Sequence, residues 1–255
     1  MIEKMKKYEF LFSELVKRDF KQKYKRTSLG MVWSLLNPLL QLLVYDLVFT
    51  QFFGRDTENY IIYVFSGVVV FNYFNESTKG GMTSLINNAK IFTKLNVPKY
   101  LFLFSKNVSA LINYGLILLL YLIFCIIYGI DIGPRFLLLI YPSFWLMIFN
   151  LGMGLILSAL FVFFRDIQYL YDIGVMLARY LSAIFYTITR FSDQQQRYFL
   201  LNPIYTYIKY FRMVVIDHTV PSFSFHCLCA GYALVVFVIG CWIYKRYNTE
   251  FLYYV

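Results

Sequence analysis

Hydrophobic and polar positions along the chain alternate in blocks: six long apolar runs, at 31–53, 60–78, 103–128, 136–164, 169–189 and 225–244, separated by shorter polar connections. Each run is long enough to cross ~30 Å of hydrocarbon as a helix of about 20 residues. The pattern predicts an all-α, polytopic integral membrane protein with six transmembrane helices, built as one domain over 1–255. Residues 1–28 are different. There Phe10, Leu11, Leu15, Phe20 and Tyr24 recur at roughly helical spacing, with Lys17, Arg18, Lys21, Lys25 and Arg26 between them. A helix of that kind lies in the interface plane, its apolar stripe in the acyl boundary and its cations at the headgroups; a plain basic tail in the cytoplasm is the alternative. Trp33 sits just past the water boundary, where an indole anchors. Pro38, in the second turn of the first run, bends or loosens that helix.

Two connections are irregular. The stretch 79–106 holds a short amphipathic segment near 88–97, which Asn87 or Asn88 caps and Pro98 ends. It carries Ile91, Phe92 and Leu95 on one face with Lys90 and Lys94 beside them, a small peg projecting from the membrane; a solvated loop resting on headgroups is the alternative. The stretch 190–224 is too apolar for an exposed loop and too broken for a span. Asn202 followed by Pro203 starts a helix, and Tyr205, Tyr207 and Arg212 follow. Irregular backbone at membrane depth survives only under protein or in a water-filled cavity, so this stretch is expected to form short re-entrant helices gating the outer mouth of a path.

Composition and charge fix the class and the orientation. With 60% hydrophobic and 15% charged residues, the chain cannot present the polar surface of a soluble domain. Seventeen of the 24 Lys and Arg residues fall on one side of the six runs and six on the other, so both termini, including the tail 245–255, are expected in the cytoplasm. No removable signal peptide is read at the start. Aromatics reach 21%, which fits interfacial belts and bulky packing or a path lined with rings. The four cysteines and two histidines do not make a metal site. No catalytic residue is assigned, no phosphate-cradling Gly-x4-Gly-Lys-Ser/Thr loop occurs, and no nucleic-acid partner is expected.

Polar groups inside the runs need reasons, because a charge at mid-bilayer costs about 2.5–3.5 kcal/mol on insertion scales. Asp46 lies near the middle of the first run. Asp172 and Arg179, seven apart in the fifth, share a face and point to a polar interior or a subunit seam. Glu76 and Lys79 close the second run and can snorkel. Asn72, Asn75, Asn113 and Asn150 are read as interhelical glue.

Together, Leu29-Gly30-x-x-Trp33-x-x-Leu36-Asn37-Pro38 after a basic lead-in, Asn59-Tyr60, Lys94-x-x-Val97-Pro98, Phe164-Arg165-Asp166, Leu201-Asn202-Pro203 and Arg212 resemble, in order, the ABC-2 type polysaccharide export permeases. The resemblance implies two copies forming a channel above two copies of a cytoplasmic ABC ATPase. That ATPase would bind ATP and Mg, with no cofactor on this chain. It also implies that residues 1–28 are the interface helix and that the peg is the coupling helix seated in the ATPase. The cargo would be an undecaprenyl-linked polysaccharide, most simply O-antigen, crossing a bacterial inner membrane. Teichoic acid or capsule export, an ABC-2 drug or lipid exporter, and an integral membrane glycan-modifying enzyme are the alternatives.

Overall fold

The computed structural model describes residues 2–24, 29–53, 59–94, 97–252 and 254. Among them there are ten α-helices and no strand. α1 (Ile2–Tyr24) leads through a 3₁₀ turn at Gly30–Val32 into α2 (Trp33–Phe53). Gly30 opens that turn at φ +52, and the space around it is free. α3 (Tyr60–Asn87) and the one-turn α4 (Ala89–Phe92) precede α5 (Tyr100–Ile127). A 3₁₀ turn at Pro134–Leu139 runs directly into α6 (Ile140–Phe163). Then come α7 (Ile167–Leu181), α8 (Asp193–Phe199), α9 (Pro203–Val215) and α10 (Phe223–Tyr247).

Among the described residues, three segments are long and apolar enough to cross a membrane by length and composition: α5, the continuous Pro134–Phe163 and α10. α3 has the length, but Asn72, Asn75 and Glu76 interrupt its apolar run, and it continues well past the expected end at Thr78. Nothing stops it there. Gly81 instead lets it approach α6, where an added Cβ would meet the Cα of Gly154 at 3.0 Å. The fifth expected span is corrected: α7 has 15 residues, about 22 Å. After it the chain turns through Ala183 at φ +47, so 182–189 is not part of a continuous helix.

α6 is the central helix, packed against α10 on one side and α3 on the other, while α5 packs on α3 and carries α1. In lipid there is no hydrophobic force between helices, so close backbone approach and polar contacts hold the bundle. Gly152 shows the consequence. A Cβ there would lie 2.6 Å from the Phe237 backbone, and one on Gly240 would lie 2.6 Å from the Gly152 carbonyl. α9 is not a surface cap. Its Tyr207, Tyr210, Phe211, Val214 and Val215 are fully buried in the main cluster, against α3 and the turn before α6. The outward sides of α5, α7 and α10 carry Ile123, Met176, Leu177, Val238 and Trp242, all exposed and apolar, as a lipid-facing or subunit-facing surface requires.

Candidate functional site

α3 places Asn72, Asn75 and Glu76 on one face, at the spacing that stacks side chains along a helix. Facing them, α2 offers Asn37 and Gln41, α5 offers Asn113, and α7 offers Arg179. These groups and Trp33 line an open cleft of about 600 Å³. The amides form a chain: Asn72 Nδ2 donates to Gln41 Oε1 at 3.3 Å, and Gln41 Nε2 donates to Asn37 Oδ1 at 3.3 Å. Asn113 Nδ2 donates to Glu76 Oε2 at 2.8 Å. Arg179 lies 5.0 Å from the Phe71 ring centre and donates to the Tyr45 hydroxyl at 3.4 Å. Asp172 points elsewhere on the same flank, pairing with Lys79 at 2.7 Å while both stay half exposed. Asp46 lies in α2, and its side chain is outside the described set.

Towards the α1 end, a second polar cleft of about 720 Å³ is lined by Arg18, Asp19, Gln22, Asn87, Asn88 and Lys106, and also by Glu76. Glu76 therefore belongs to both. From Asn72 to Asn87 the polar face of α3 extends about 22 Å at 1.5 Å per residue. Its carboxamides give paired donors and acceptors without charge, and Glu76, Arg18, Asp19, Lys106 and Arg179 add charged groups around them.

The expected coupling and interface residues meet at one corner. Asp19, buried on α1, accepts from Arg18 at 2.9 Å, pairs with Lys106 of α5 at 3.0 Å and accepts from Ser105 at 3.3 Å. Arg18 also donates to Asn88 Oδ1 at 2.8 Å. Asn88 does not cap α4 with its side chain; its amide donates to the Ser84 carbonyl instead. Two expectations are corrected here. Leu11 and Leu15 of α1 face a protein cluster rather than acyl chains. Phe92 is no outward peg: it is buried beside Phe102, ring centres 6.0 Å apart. Lys90, Thr93 and Lys94 are exposed, and Ile91 is half-buried. Lys17 pairs with Glu14 at 2.9 Å and Lys21 is exposed; Leu95, Lys25 and Arg26 lie outside the described residues. Lys99, held by the Asn248 carbonyl and set over the rings of Phe92 and Phe251, has its ammonium pKa lowered from the usual lysine value by burial.

At the other end Asn202 caps α9, accepting from the Ile204 and Tyr205 N–H groups at 3.0 and 3.4 Å, with Pro203 in the first turn. The rings expected along the outer path are buried within the protomer. Tyr205 is buried against Phe199, and Tyr207 donates to the Cys229 carbonyl at 2.9 Å. Arg212 is buried too. It donates to the Tyr63 and Ser66 hydroxyls and to the carbonyls of Tyr63, Ala183 and Ile184, at 2.8 to 3.3 Å. Its cation pins the bend after α7 to α3.

The profile of the ABC-2 type transporter family matches residues 11–216, which takes in the track, the α1–α4 corner and α9. The chain belongs to the ABC-2 transporter family. This ABC-2 chain is also similar to two proteins called O-antigen export system permease protein RfbA. It is 26% identical to that of Myxococcus xanthus, over 98% of this chain and 97% of the relative. With that of Klebsiella pneumoniae it shares 24% identity, over 95% of each. As an ABC-2 member it is the permease part of an ABC transporter, multi-pass in a bacterial membrane and served by an ATPase partner. Asn72 and Asn113 do join helices, through Gln41 and Glu76, and with Asn75 they also line the cleft, whereas Asn150 lines neither cleft. Asn37, Gln41 and Asp19 are site residues that the sequence pattern did not single out. Asn72, Asn75 and Glu76 on one helical face, beside Asn37 and Gln41 at i, i+4, were the available signal.

Proposed function

We propose that two copies of this ABC-2 permease form the channel through which a separate ATPase pair exports an undecaprenyl-linked polysaccharide, O-antigen in the simplest case, across a bacterial inner membrane. The observation that carries this reading is the polar track shared by two clefts through Glu76. A track of amides interspersed with charged groups offers a long sugar chain many hydrogen-bond partners in succession, so its hydroxyls can exchange one partner for the next. The RfbA relatives, named for O-antigen export, support the cargo class. In this reading both termini are cytoplasmic, and the exposed Lys90, Thr93 and Lys94 meet the ATPase. ATP and Mg then bind on that partner. Closure of the ATPase pulls α4, and the Arg18–Asn88 and Asp19–Lys106 contacts pass the pull to α1 and α5 as a rigid-body motion.

The test is ATP-dependent export of lipid-linked glycan from membranes containing the chain and its ATPase. Asn72→Leu with Asn75→Leu should cut export at least several-fold while the complex still assembles. Unchanged export in that variant removes the track from the pathway.

A further inference from the structure

A third cleft, of about 730 Å³, shares no lining residue with the track. It lies between the start of α5 and the end of α10, which both pack on α6 without forming a packed pair with each other. Phe104, Leu155 and Cys241 give it apolar lining, beside the buried Lys99 and the exposed Lys245; no acidic residue is among its described lining. Lys245 is in the last turn of α10 and Lys99 immediately precedes α5, and both line this one cleft. From Cys241 to Lys245 is about 6 Å along the helix, the step from a first acyl carbon to a headgroup phosphate. Trp242 and Val238 of α10, and Tyr100 of α5, are exposed nearby, so the cleft adjoins the lipid-facing side. Tyr244, also on its lining, has a buried hydroxyl with no hydrogen-bond partner among the described groups.

We propose that this cleft binds one acidic glycerophospholipid of the adjoining leaflet, its phosphate between Lys245 and Lys99 and its upper acyl carbons on Phe104, Leu155 and Cys241. A basic pocket between transmembrane helices is a known way to hold an anionic headgroup. Lys99 spends one donor on the Asn248 carbonyl, and an ammonium has two more to give. The lining also includes Tyr8 of α1, Val97 and Pro98 after α4, and Asn248 beyond α10. The bound lipid therefore ties together the three segments around the ATPase-facing corner and makes their cohesion depend on leaflet charge. The inference needs only that the chain spans a membrane; it stands or falls independently of the glycan cargo.

The experiment is native mass spectrometry of the full permease–ATPase complex, released from nanodiscs of equal phosphatidylglycerol and phosphatidylcholine. One phosphatidylglycerol per permease chain is expected to stay bound, and phosphatidylcholine is not. Lys245→Gln should lower that occupancy about fivefold, the worth of one lysine at an anionic surface, and Cys241→Phe, which adds bulk at the apolar lining, should abolish it. Circular dichroism and elution volume confirm that both variants fold. Equal retention of the two lipids, or full occupancy in Lys245→Gln, overturns the proposal. So does a wild type that keeps no lipid; if its Cys241, in a Cys227→Ser background, is then shielded from maleimide only when the ATPase is bound, the occupant is the partner protein.

Discussion

Arg18 reaches across from α1 and donates to Asn88 Oδ1 at 2.8 Å, at the corner where α3 gives way to α4. The same guanidinium holds the buried Asp19, whose other partners are Lys106 and Ser105 of α5. Three elements far apart in sequence are thus joined by one polar knot, with the exposed cations of α4 beside it.

Cutting that knot should affect mechanism more than folding. Arg18 is 41% exposed in its side chain, so Asn88→Ala is expected to cost only about 1 kcal/mol of stability. Export should fall several-fold at unchanged expression. In a double-mutant cycle with Arg18→Ala the two effects should be less than additive, by about 0.5 kcal/mol or more. Thermal unfolding in detergent and glycan display on cells check both numbers; strict additivity would leave the two residues uncoupled.

Gly152 offers a cleaner packing test. Gly152→Val places a side chain into the Phe237 backbone, and overpacking of that kind costs about 1–3 kcal/mol or more. Gly115→Ala, with nothing within 4 Å, should stay within about 0.5 kcal/mol of wild type. Comparing folded yield and melting temperature of the two variants separates close approach from a generic helix effect.

Arg212→Lys should destabilise by about 2–4 kcal/mol, because an ammonium cannot reach the hydroxyls and carbonyls that the planar fork serves, and the unserved groups stay buried. Limited proteolysis should then cut within 182–192 in the variant before the wild type. By contrast Tyr207→Phe, which loses one bond to the Cys229 carbonyl, should cost about 1 kcal/mol and leave ion leakage through the outer end unchanged.

The buried Lys99 predicts a pH slope. Its pKa in the folded chain lies below the ordinary lysine value, so between the two the unfolded chain binds more protons. Stability from this position therefore rises as pH climbs through that window towards about 10.4. Lys99→Met should flatten the slope of melting temperature between pH 8 and 10 (roughly the accessible alkaline range), and a slope retained in full would assign it to other groups.

The sequence by itself determined the class and most of the elements. Runs of apolar residues long enough for hydrocarbon permit only helices, the excess of Lys and Arg on alternate connections set an expected orientation, and Asn202-Pro203 started α9 where the cap signals put it. These are local rules, and local pattern carries them. Tertiary structure decided which polar groups meet. Asn72, Asn75, Asn37 and Gln41 look alike in sequence whether they face a neighbouring helix or an open cleft, because one amide serves either purpose. Phe92 likewise reads as an outward peg until Phe102 and Lys99 are seen against its ring. Tyr207 and Arg212 have the chemistry of a gate, and only the packing of α9 against α3 and α6 shows that Tyr207 is bonded to the Cys229 carbonyl and Arg212 to the bend after α7. The depth of a helix in a bundle depends on which surfaces fit all its neighbours at once. No stretch of the chain encodes that alone.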